Sequence, residues 1–99
     1  MSHKLHPVIV TLGRPDRIVV FGWSTIKVKP GDSPKLTGAR MVLYWPSACG
    51  GLFGLAADGP KEGLRLTHPV TTHPGEVVRV IEVPALAAGA LSDWAPYVG

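Results

Sequence analysis

Apolar positions along this chain fall into short blocks, and the spacing inside each block names an element. Val8 to Leu12 is a β-branched run ending at Gly13, and the Pro and Asp of Gly13 to Asp16 mark a turn. Arg17 to Trp23 reads as strand, and Ser24 to Lys29 continues it, because Ile26 and Val28 alternate with Lys27 and Lys29 as on a half-exposed strand. Gly22 is placed to mark a bulge or bend in what reads as one long strand. Pro30 to Pro34 (PGDSP) is the clearest hairpin tip, returning the chain antiparallel through Arg40 to Trp45. In that segment Met41, Leu43 and Trp45 point one way and Val42 and Tyr44 the other. Both faces are apolar, so the strand is expected to be central.

Ser47 to Gly51 is too rich in small residues for regular structure. Leu52 to Ala57 then reads as a short helix stopped by Asp58, Gly59 and Pro60. Gly63 to Thr67 alternates like a strand, and the following HPVTTHPG is extended because each proline pushes its preceding histidine out of the helical region. Glu76 to Val83 is the second convincing strand. Pro84 suits a first helical position, and Leu86, Ala90 and Trp94 recur at four-residue spacing in the C-terminal helix it opens. Gly89 inside that helix costs about 1 kcal/mol relative to alanine, so packing or a close backbone approach is expected there. The predicted fold is α+β: a small antiparallel β-sheet or barrel with one short internal helix and a C-terminal helix, as a single domain over residues 1–99 with 1–6 flexible.

Composition sharpens this picture. In 99 residues the core is thin, yet 45% of the chain is hydrophobic and only 17% charged, so some apolar surface is expected to stay outside and to support self-association. No apolar run approaches the roughly 18 residues of a membrane span. Val8 to Leu12 is too short for the core of a signal peptide, and no small-residue cleavage site follows, so a cytoplasmic location is expected. Cys49 is the single cysteine, which excludes an intramolecular disulfide and an all-cysteine metal site. Asn and Gln are absent, a bias shared by thermophilic and GC-rich sources.

The net charge of +3 is uneven. Residues 1–40 hold seven Lys/Arg against two Asp, and residues 41–99 hold three against five acidic residues. Arg14, Arg17, Lys27, Lys29, Lys35 and Arg40 are therefore candidates for a basic patch, with Trp23, Tyr44 and Trp45 as stacking platforms for nucleic acid. The plainer reading is that the lysines solvate a strand face and guard an edge.

Chemistry finds little purchase. His3, His6, His68, His73 and Cys49 do not fall into a recognised zinc spacing, and three of the four histidines precede proline in extended loops. Cys49 in a small-residue turn before a helix has the setting of an activated thiolate, but a cysteine between Ala48 and Gly50 is more often a packing choice. Neither GxGxxG nor a P-loop is present, and the seven carboxylates are scattered. No catalytic residue, metal or cofactor is assigned.

The segment ARMVLYWPSACGGLFGLAADGP resembles the core of a small domain family of unknown function encoded mainly by tailed phages and prophages. Ala39, Arg40, Tyr44, Trp45, Ala48, Gly51, Leu52, Leu55, Ala56 and Gly59 carry the resemblance, which continues loosely through Pro69-Val70, the strand from Val77 to Val83 and a terminal helix with Trp94. Pro46 and Phe53-Gly54 depart from the pattern and make the helix more apolar. The resemblance implies a β-rich fold and a phage setting, in the host cytoplasm during infection or on the virion, and transfers no catalytic residue.

The expected function is that of a non-enzymatic accessory protein working by protein contacts, as a homo-oligomer or a virion decoration or minor structural component. Trp45, Leu52, Phe53 and Leu55 are its candidate partner surface. The alternatives are an intracellular protein that binds nucleic acid or a host or defence component through its basic half, and a small-molecule sponge with a pocket at a subunit interface lined by Trp23 or Trp45.

Overall fold

The computed structural model describes residues 5–13 and 18–98. Six strands form one open antiparallel sheet: β1 (His6–Leu12), β2 (Val19–Ser24), β3 (Leu36–Tyr44), β4 (Arg65–Leu66), β5 (Val70–Thr72) and β6 (Val77–Glu82). The spatial order is β4-β3-β2-β1-β6, with β5 also on β3. A 3-10 turn (Ser47–Cys49) and helix α1 (Gly51–Asp58) follow β3, and helix α2 (Ala85–Asp93) follows β6. The α+β class is as the sequence predicts, and the sheet remains open instead of closing into a barrel.

Strand alternation divides the core into two layers. Ile9, Val19 and Phe21 point to the face covered by the helices, where Leu55 and Ala56 of α1 and Ala87, Ala88 and Leu91 of α2 complete one cluster. Val8, Val10, Leu12, Val20, Leu36, Ala39 and Val77 form a second cluster on the opposite face. β1 is thus buried on both sides, which explains its nearly continuous apolar sequence.

The long strand expected from Arg17 to Lys29 ends at Ser24. The Ser24 hydroxyl accepts a hydrogen bond from the Ile26 N–H at 3.1 Å, turning the chain out of the sheet. Residues 25–35 then pass over β1 toward β6. Gly31 N–H donates to the Val77 carbonyl at 2.7 Å, and Val77 N–H donates to that of Asp32 at 2.9 Å. Val28 is pressed into the second cluster, whereas Ile26 stays half exposed, so the alternation here describes a covering strap and not a strand. Asp32 fixes its bend: Oδ2 accepts from the Lys29 N–H at 2.8 Å. The antiparallel return survives, since β2 pairs β3 with Phe21 opposite Arg40. The register breaks between Phe21 and Trp23, at Gly22 as predicted; a Cβ there would stand 3.0 Å from that of Leu36.

The internal helix ends as expected at Gly59, whose φ of 81° only glycine adopts readily and whose backbone lies against Ala87. The small-residue stretch before it holds a 3-10 turn where no regular structure is predicted. Helix α2 opens one residue later than predicted, with Pro84 as its N-cap. Its inward face is also different. Leu86 is 92% exposed and Ala90 is exposed, while Ala87, Ala88 and Leu91 pack inward, because small side chains let α2 approach Gly59 closely. Among the described residues no helix is long and apolar enough to cross a membrane.

Candidate functional site

Arg40, a basic-patch candidate, has no place on the surface. It is 1% exposed, beneath α2. Its Nε donates to the Thr67 carbonyl at 2.8 Å, and one terminal nitrogen donates to the carbonyls of Leu91 at 2.8 Å and Ser92 at 3.3 Å. These last two belong to the C-terminal turn of α2, where carbonyls have no partner within the helix. Trp94 follows in an extended conformation, with no glycine cap, so the strand arginine supplies the cap. The Trp23 indole N–H donates to the Ser92 hydroxyl at 2.9 Å, and that of Trp94 donates to the Leu64 carbonyl at 2.9 Å. Burial pulls the Arg40 pKa below its ordinary value. The group is architectural.

The other sequence candidates separate. Lys27, Lys29 and Lys35 are exposed, while Arg14, Arg17 and His3 lie outside the described residues. Leu55, a partner-surface candidate, is 0% exposed at the centre of the helix-side core and is unavailable to a partner. Leu52 and Trp45 are partly buried against the same core, and Phe53 stands 69% exposed. Trp23 is partly buried and stands roughly perpendicular to Phe21, with ring centroids 6.1 Å apart. Cys49 is buried in the apolar core. His68 and His73 flank β5 on the surface, and among the described residues no group of three or more His, Cys, Asp and Glu is placed to hold a metal.

What the fold assembles on its surface is an aromatic and basic corner. β3 and β4 pair Tyr44 with Arg65, and the chain after α2 returns so that Tyr97 N–H donates to the Leu66 carbonyl at 2.9 Å. The Arg65 guanidinium thereby lies 4.6 Å from the Tyr97 ring centre and 5.5 Å from that of Tyr44. Leu43, next to Tyr44 in β3, is 48% exposed, and an open hollow of about 410 Å³ runs along Val42, Leu43, Tyr44 and Trp45. Sequence reasoning found Tyr44 and Trp45 here but missed Arg65 and Tyr97. Only the Tyr44–Arg65 register and the return of the tail bring them together, and no local pattern announces either.

The molecule is thus a small α+β domain, with helices on one face of an open sheet and a cation–aromatic cluster at one corner. Its chain belongs to the family described as a domain of unknown function (DUF6948), whose model matches residues 5–91. No curated protein and no solved structure matches it.

Proposed function

We propose that this domain is a non-enzymatic accessory protein that acts by docking and self-associates through the corner at the end of β3. The observation that carries the reading is the Tyr44–Arg65–Tyr97 stack, exposed at the end of β3. Tyr, Trp and Arg dominate interface hot spots, and side chains held in place before contact lose less freedom on binding. The resemblance of the β3–α1 segment to phage and prophage proteins supports a phage setting, with the protein as a virion decoration or minor structural component or in the cytoplasm of an infected cell.

Light scattering coupled to size exclusion tests the docking reading at low and high salt. An oligomer at micromolar concentration is expected, shifting to monomer in the double variant Tyr44→Ser and Tyr97→Ser with unchanged circular dichroism. A wild-type monomer in both salts would overturn it. Mass spectrometry of purified particles tests the setting separately. The nucleic-acid alternative has less support, because burial removes Arg40 from the basic patch. Absence of duplex and single-strand DNA binding at low salt would eliminate it.

A further inference from the structure

We propose a second, independent site: the hollow between the strap, the start of β1 and the end of β6 binds a small organic anion with an apolar body. Its volume is about 290 Å³, near the lower end of ligand pockets. The floor is apolar, formed by Val8 and Val28, each at most 6% exposed, with the partly buried Val80 packed against the same cluster. The same alternation that presses Val28 downward leaves Lys27 and Lys29 on the rim, where His6 joins them. Glu82 is the one carboxylate in the lining, against two ammonium groups, so the rim favours an anion.

The strap is not free to swing away. The Asp32 cap on Lys29 N–H and the two backbone bonds to Val77 fix it on the sheet, and Pro7 and Pro30 stiffen the walls. A ligand with a carboxylate, sulfate or phosphate head and a short hydrocarbon body matches both surfaces at once. A neutral alcohol satisfies only the floor, and an alkylammonium meets like charge at the rim.

Methyl-resolved NMR titration with sodium octanoate, with octanol and octylammonium as controls at fixed pH, tests this. Octanoate is expected to shift the methyl signals of Val8, Val28 and Val80, with affinity falling by up to about fourfold for each methylene removed in hexanoate and butyrate. Lys27→Gln and Lys29→Gln should each weaken binding about twofold to fivefold, the range of exposed ion pairs, while Glu82→Gln should tighten it. All three side chains are exposed, so circular dichroism should stay constant. The proposal is overturned if octanoate leaves those methyls unmoved, if octylammonium binds as tightly, or if the lysine variants bind like wild type. None of these outcomes depends on the oligomeric state.

Discussion

Replacing Arg40 by methionine separates the cap function of this side chain from its volume. The guanidinium makes two bonds of 2.8 Å and one of 3.3 Å, all to carbonyls. A hydrogen bond from a charged donor is worth about 2 kcal/mol when well formed and about 1 when long, so the three sum to about 5 kcal/mol. Against this stands the cost of burying the charge. One terminal nitrogen is buried with no hydrogen-bond partner among the described residues, and relief of that desolvation returns about 2 kcal/mol when the charge is removed. Arg40→Met is therefore expected to cost about 3 kcal/mol, and Arg40→Ala about 4 to 5 because a cavity is added. Either is a large fraction of the stability of a domain this size.

Urea unfolding followed by circular dichroism measures the loss, and an unchanged m-value checks that the same surface is exposed. Amide exchange should locate it: the last turn of α2, around Ala88 and Leu91, should lose protection before β1 does. If Arg40→Met lies within about 0.5 kcal/mol of wild type, the capping argument is wrong and the arginine is a packing element. The pH dependence has a definite sign. A base whose folded pKa is depressed penalises folding at every pH below that value, and the penalty lifts only as pH rises through it. For a guanidinium that window is strongly alkaline, so Arg40 contributes no slope to stability between about pH 5 and 9.

Two glycines inside helices should respond oppositely to alanine. At Gly89 a Cβ meets nothing within 4 Å, and Gly89→Ala should stabilise by about 0.5 to 1 kcal/mol in the same urea assay. At Gly54 a Cβ would stand 2.9 Å from the Cys49 carbonyl carbon and closer still to its oxygen, so Gly54→Ala should cost more than about 2 kcal/mol; equal behaviour at the two sites would refute the placement of α1. Cys49, 2% exposed, should react with an aromatic disulfide reagent only as fast as the domain opens, and a fast native-state reaction would contradict its burial. Trp23→Phe should cost about 1 kcal/mol through the lost bond to Ser92, and Ser92→Ala in the same background should add little further.

Much of the fold was legible because period-2 alternation and Gly or Pro stops act locally. β1, β6, the β2–β3 return and the limits of α1 all follow from them. The failures share one cause, which is that distant elements decided the outcome. Arg40 sits in an apolar strand beside a basic N-terminal half, and its charge reads as surface until α2 is laid over it. Leu86 and Ala90 form as good a stripe as Ala87 and Leu91, and only the contact at Gly59 selects the second. Leu55 reads as surplus apolar surface in the sequence because only the packing of α2 against α1 buries it.

The strap conceals the pocket from the sequence for the same reason. Lys27, Val28 and Lys29 satisfy a strand pattern equally well whether they pair in the sheet or cross above it, since both put alternate side chains up and down. Ser24 and Asp32 break the tie through side-chain bonds to Ile26 and Lys29, and the turn at Gly31 and Asp32 bonds to the backbone of Val77 in β6. Once the segment lies across β1, Val28 becomes the lid of the second core layer and its lysine neighbours become the rim of a hollow. Burial of β1 on both faces absorbs part of the apolar excess in the composition; the rest stays outside, at Phe53 and Leu86 of the helices and at Leu43, Tyr44 and Tyr97, the group that carries the docking reading.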